Sequence, residues 1–131
     1  MTTRLSTIMQ IALTVQDLDR AVAFYRDSLG LALLFQAPPR LAFFDCDGIR
    51  LMLAEPEPGS VAGPSGAVLY FKVDDIQATH RALIDRGVEF TGVPHLIAKM
   101  PDHDLWLAEF RDTEGNRFAL MSEVRSRDAP V

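Results

Sequence analysis

Val15-Gln16-Asp17-Leu18 returns 58 residues later as Val73-Asp74-Asp75-Ile76. At the same offset Ala21 meets Thr79, Tyr25 meets Leu83 and Asp27 meets Asp85. Gly30-Leu31 returns as Gly87-Val88 after a one-residue deletion. A second block matches at an offset of 67, where Phe43-Phe-Asp-Cys-Asp-Gly-Ile-Arg-Leu-Met-Leu53 faces Phe110-Arg-Asp-Thr-Glu-Gly-Asn-Arg-Phe-Ala-Leu120. Two blocks in the same order make the chain two copies of one supersecondary unit of about 60 residues.

Each copy has the same local pattern. Ile11, Leu13 and Val15 alternate with Gln10, Ala12 and Thr14, which predicts a strand. Asp17 offers an N-cap, Leu18, Ala21, Val22, Tyr25 and Leu29 follow at helical spacing, and Gly30 supplies the stop. Strands are expected near Leu31–Phe35, Leu41–Phe44 and Ile49–Ala54, with a turn at Asp45–Gly48. The order is βαβββ. The second copy predicts a strand at Ala67–Val73, a helix near Asp75–Arg86, and strands near Val88–Phe90, Leu105–Arg111 and Arg117–Met121. The expected organisation is one α+β domain over 1–131: module one about 7–55, a Pro/Gly-rich linker 56–66, module two about 67–123, and a tail 124–131.

Alternation also assigns faces. Ile11, Leu13, Val15, Leu51, Leu53, Leu69, Phe71, Val73, Phe118 and Leu120 share an apolar face suited to an overlying helix. The opposite face carries Gln10, Ala12, Thr14, Arg50, Met52, Ala54, Val68, Tyr70, Lys72, Arg117, Ala119 and Met121. A curved sheet lining a partly polar cavity fits that mixture.

Composition narrows the function. The 131 residues are 48% apolar and carry a net charge of −5, which suits a folded domain and gives no basic surface for nucleic acid. No run reaches the roughly 20 apolar residues of a membrane helix. Leu5–Val15 imitates a short signal core, but Ser6, Thr7, Gln10 and Thr14 dilute it and no A-x-A site follows, so a cytoplasmic setting is expected. The single cysteine, Cys46, excludes an internal disulfide, and its neighbours Asp45 and Asp47 oppose thiolate formation.

A tandem βαβββ pair with V-x-D-L-x-x-A-x-x-F-Y-x-x-x-L-G-L, here Val15 to Leu31, resembles the glyoxalase, bleomycin-resistance and extradiol-dioxygenase superfamily, also called vicinal oxygen chelate proteins. Asp112-Thr-Glu-Gly-Asn116 is similar to that family's D-P-x-G-N turn, and the resemblance runs from Thr7 to Glu123. It implies eight strands in a U-shaped mixed sheet around a cavity with helices outside, commonly in a homodimer. It also implies metal-ligand positions, which fall here on Gln10, Met52, Val68 and Ala119. Three of these lack an oxygen or nitrogen donor in the side chain, so no metal and no other cofactor are expected there.

Other residues offer chemistry. His95 and His103, with Asp102 and Asp104, could form a displaced His/Asp metal site in an insertion from about Val93 to Asp102, or could simply be solvated loop groups. Leu96, Ile97 and Met100 suit an apolar flap or a partner contact. His80 suits helix packing. Arg50, Lys72 and Arg117 could orient an anionic ligand or reach water, and Tyr70 could donate a hydrogen bond. Glu109 interrupts an apolar run and is the candidate general base: facing a cavity, it would be desolvated and its pKa raised.

The expected function is a metal-free small-molecule binder, sequestering or sensing. Trp106, Phe43, Phe110, Met52 and Tyr70 would supply apolar contacts, while Gln10, Arg50, Lys72 and Arg117 would supply polar ones beside Val68 and Ala119. The alternative is a lyase, isomerase, epimerase or dioxygenase-like enzyme using Glu109 or a metal at His95 and His103. A structural module without ligand is the third possibility.

Overall fold

The computed structural model describes residues 3–60 and 63–125. The chain divides into two compact units between Pro64 and Ser65. Each unit holds one four-stranded mixed sheet with a helix packed on it. Eight strands and two principal helices among the described residues give the expected α+β class and βαβββ order.

Unit one contains β1 (Gln10–Thr14), α1 (Leu18–Ala23), β2 (Ala32–Ala37), β3 (Leu41–Cys46) and β4 (Ile49–Ala54). The sheet order is β1-β4-β3-β2, with β1 parallel to β4 and the other pairs antiparallel. Asp17 caps α1, its Oδ1 accepting from the Arg20 amide at 3.1 Å. The helix does not run regularly to Leu29. It widens into a π-helical turn over Phe24–Ser28, in which the Leu29 amide donates to Phe24 O and the Leu31 amide to Tyr25 O. The π turn absorbs one extra residue and keeps Tyr25 buried against Phe44, their ring centroids 5.7 Å apart. At the β3–β4 hairpin, Asp47 (φ 52°) and Gly48 (φ 96°) both occupy the left-handed region, as a type I′ turn requires.

Unit two contains β5 (Val68–Lys72), α2 (Ile76–Asp85), β6 (His95–Lys99), β7 (His103–Arg111) and β8 (Arg117–Arg125), in sheet order β5-β8-β7-β6. Asp75 caps α2. Its end is a Schellman arrangement, with the Val88 amide on Leu83 O and the Gly87 amide on Ile84 O. The corresponding bond in unit one spans one residue more, from Leu31 to Tyr25. The one-residue deletion between the copies is therefore the residue held in the π turn.

Two expectations need correction here. The strand near Val88–Phe90 is reduced to a single bridge, Phe90 to Phe110. Pairing with β7 resumes only at His95–Lys99, inside the stretch expected as an insertion loop. Gly92 and Pro94 intervene, and proline has no amide to give to a ladder. Second, β8 continues to Arg125, so the expected tail loses Val124 and Arg125 to the sheet. Residues 126–131, and Val61 and Ala62 of the linker, lie outside the described residues.

The Asp112–Asn116 turn is structural. Asp112 Oδ1 accepts from the Glu114 and Asn116 amides at 2.8 Å each. The buried Asn116 donates to Asp112 Oδ2 and accepts the Ser65 amide at 2.8 Å. These bonds tie the start of unit two to its last hairpin.

Candidate functional site

In each unit the helix covers one sheet face, and part of the candidate set lies on the other. In unit one, Leu13, Leu51, Leu53, Ala42 and Phe44 are buried toward α1. The register then fixes the opposite face in rows. Gln10, Arg50 and Asp45 form one row, and Ala12, Met52, Phe43 and Phe35 form the next. Gln10 joins the rows: its Oε1 accepts from Arg50 Nε at 2.9 Å, and its Nε2 lies 3.8 Å from Met52 Sδ. Phe35 and Phe43 stack with centroids 4.6 Å apart and planes at 26°.

In unit two the open face carries Val68 opposite Arg117, Tyr70 opposite Ala119, and Lys72 opposite Met121, with Glu109 across from Ala119 on β7. Glu109 Oε2 lies 3.6 Å from Arg117 Nη2, and the carboxylate side chain is 42% exposed. The desolvation required by the general-base expectation is missing. Lys72 borders a groove of about 640 Å³ whose walls include Asp74, Glu123 and Arg125, a charged rather than aromatic lining.

Trp106 does not belong with these residues. Regular β7–β8 pairing puts it on the same side as Ala108 and Phe110, toward α2 and away from Tyr70 and Ala119. Phe110 is likewise a core residue, 1% exposed and stacked on Phe118 at 5.5 Å. The reason lies in hairpin length. Seven positions separate the paired Phe44 and Leu51, whereas eight separate Phe110 and Phe118. The ungapped repeat thus equates Phe43 with Phe110, but the sheet equates Phe44 with Phe110 and Phe43 with Glu109. Phe35 also belongs to the open face, which the sequence of β2 does not indicate. A register shift between Leu33 and Phe35 reverses the parity of β2 and turns Phe35 onto the open face. The adjacency of two aromatic-bearing strands was the one available signal.

The family-type metal positions do not fit an ion. Met52 offers a thioether, Val68 and Ala119 offer only carbon, and the Gln10 amide is already held by Arg50 and Met52. The displaced His/Asp site is not assembled either. His95 lies across from Leu107, four residues along β7 from His103, which is roughly 13 Å at strand rise. His95 Nδ1 meets Val93 O at 3.0 Å. His103 Nδ1 meets Asp102 Oδ1 at 2.8 Å, and Arg125 Nη1 bonds Asp102 Oδ2 at 2.6 Å. His103 first and Arg125 second hold the Asp102 carboxyl below its ordinary range. Among the described residues no three His, Cys, Asp or Glu side chains converge to hold a metal.

The model for the Glyoxalase/Bleomycin resistance protein/Dioxygenase superfamily matches residues 7–120. The chain belongs to this superfamily. A superfamily-sized relative, the uncharacterized protein YraH of Bacillus subtilis (strain 168), is 31% identical over 124 residues, covering 83% of this chain and 92% of that one. The crystal structure of lactoylglutathione lyase from Agrobacterium tumefaciens is similar at TM-score 0.72 and 26% identity, covering 92% of this chain and 96% of the lyase. TnmS3, an antibiotic binding protein from Streptomyces sp. CB03234, shares the fold at TM-score 0.72 and 24% identity, with coverage of 93% and 99%. One fold thus carries a lyase in one neighbour and antibiotic binding in the other. No helix among the described residues is long and apolar enough to cross a membrane.

Proposed function

We propose that this protein binds a small organic molecule on the open faces of its sheets, without a resident metal, for sequestration or sensing. The reading takes 1–131 as one functional domain, acting as a homodimer in a reducing cytoplasm. The observation that carries it is the replacement of metal donors by Met52, Val68 and Ala119 on faces that also present aromatic and cationic groups. Gln10, Arg50 and Met52 make the polar and apolar contacts in unit one, and Val68, Tyr70, Lys72 and Arg117 do so in unit two, over the fully buried Ala119. Antibiotic binding by a protein of the same fold is compatible with this reading. The likeness to a lyase is equally compatible with the enzyme alternative, but Glu109, half-exposed and paired with Arg117, lacks the burial its role as general base would need.

Elemental analysis of protein purified without a metal-chelating tag tests the metal-free part. Substoichiometric zinc, iron, manganese and nickel are expected; one tightly held ion per chain overturns it. Thermal-shift screening against metabolites and antibiotics tests binding, because a ligand at a hundred times its Kd adds about 2.7 kcal/mol to apparent stability. Light scattering of the same sample reads the oligomeric state, with a dimer expected.

A further inference from the structure

We infer that the ligand is a planar aromatic compound carrying a carboxylate or similar anion, anchored on unit one by Arg50 and the Phe35–Phe43 stack; the inference rests on the binding reading above.

Arg50 contrasts with the arginines that meet a carboxylate. Arg40 faces Glu55, Arg117 faces Glu109 and Arg125 faces Asp102, each within 4 Å. Among the described residues no carboxylate pairs with Arg50, whose guanidinium makes one bond, Nε to Gln10 Oε1. Asp45 sits directly across the ladder on the same face, but its carboxylate turns into the hairpin and accepts the Gly48 amide at 3.0 Å. The two Nη groups of Arg50 are therefore open. Gln10, itself placed by Met52, fixes the plane in which they point. A planar guanidinium held in this way favours an anion taken by two parallel hydrogen bonds.

The next row is aromatic. Phe35 is half-exposed although it stacks on Phe43, and Phe43 stands between it and Met52, so the row presents a partly open aromatic surface. Arg50 and Phe43 are diagonal neighbours on β4 and β3, roughly 7–8 Å apart. A ligand that satisfies both rows has a flat ring system and an anionic group about that far from the ring centre. Flat rings stack on phenylalanine, and an adjacent thioether adapts to their edges. Unit two offers no equivalent, because Glu109 already neutralises Arg117 where unit one has Phe43.

The test uses 2-naphthoate, 2-naphthamide and cyclohexanecarboxylate as probes in calorimetric titrations of the full chain. Naphthoate is expected to bind at least about tenfold tighter than either comparison compound, the size of one lost charged hydrogen-bond pair. Arg50→Gln should reduce naphthoate to the affinity of naphthamide while leaving naphthamide unchanged. Phe35→Leu should weaken both aromatic probes alike, and Arg81→Gln, on the outer surface of α2, should alter neither. Equal affinity for acid and amide, an unaffected Arg50→Gln variant, or no binding of any probe overturns the inference. Those results leave the metal analysis and library screen to judge the binding reading separately. Circular dichroism of each variant excludes unfolding as the cause of a loss.

Discussion

Glu55 accepts the first amide of α1: its Oε2 lies 2.8 Å from Leu18 N. The same carboxylate receives Arg40 as a fork, Nε to Oε1 and Nη2 to Oε2, each at 3.2 Å. One side chain at the end of β4 thus fastens the helix start and the β2–β3 turn. A negative charge at a helix N-terminus is favourable in itself, because the first amides have no partner within the helix.

That arrangement predicts a pH dependence. The Arg40 hydrogen bonds first, and the Leu18 amide second, hold the Glu55 carboxyl below the ordinary carboxylate range. A carboxyl with a lowered pKa in the folded state stabilises the fold fully above its unfolded pKa. The contribution disappears as pH falls through the folded value. Glu55→Gln should therefore lower Tm at pH 7, and the gap from the parent should close as both are melted at progressively lower pH below about 4. A constant gap across the acid range would assign the effect to packing and not to charge.

Phe43 and Phe110 make a second prediction. They align in the repeat, yet Phe110 is core and Phe43 lies on the open face. Phe110→Ala is expected to cost about 3–5 kcal/mol, the range for truncating a buried aromatic ring. Phe43→Ala should cost about 1 kcal/mol. Urea denaturation followed by circular dichroism measures both. Fluorescence of Trp106, the only tryptophan, reports unit two separately and should move for Phe110→Ala alone. Equal losses would place both rings on the same side of their sheets.

The same pair shows how far the sequence could be taken. Period-two alternation in β1, β4, β5 and β8 assigned faces correctly, because those strands lie in regular parallel pairs. The caps Asp17 and Asp75 were legible because a short polar side chain before an apolar periodic run has one favourable use. Faces failed in β7, where a hairpin longer by one residue inverts parity; in β2, which alternation left unassigned, a register shift does the same. Such a slip leaves no trace in composition. Strand β6 was missed for a related reason, since Gly92 and Pro94 imitate the end of an element while pairing resumes one residue later. The free guanidinium of Arg50 is a matter of partners, and partners appear only once strands are side by side.

Cys46 gives a third prediction. Burial first, and the Asp45 carboxylate second, push its thiol up. The nucleophile is the thiolate, so alkylation by iodoacetamide at pH 7 should be slower than for a free cysteine, and its acceleration with pH should be displaced to higher pH than that of free cysteine. Asp45→Asn removes the smaller cause and should raise the rate modestly. Reaction at the rate of free cysteine would contradict the burial.

His80 provides the last. It is buried on α2 with its ring edge-on to Phe90, centroids 4.4 Å apart, and its Nε2 has no hydrogen-bond partner. A buried polar atom left unpaired costs stability, while an apolar side chain of similar shape escapes that cost. His80→Leu should therefore hold or raise the stability of unit two by up to about 1 kcal/mol, even though it removes the contact with Phe90. His80→Asp should lower it by several kcal/mol, because burial there strips a carboxylate of most of its hydration. Trp106 fluorescence during urea unfolding reads both. A clear loss in His80→Leu would mean that the imidazole serves the fold through a bond, and a water bridging Nε2 would then be the feature to seek by hydrogen exchange at the end of α2.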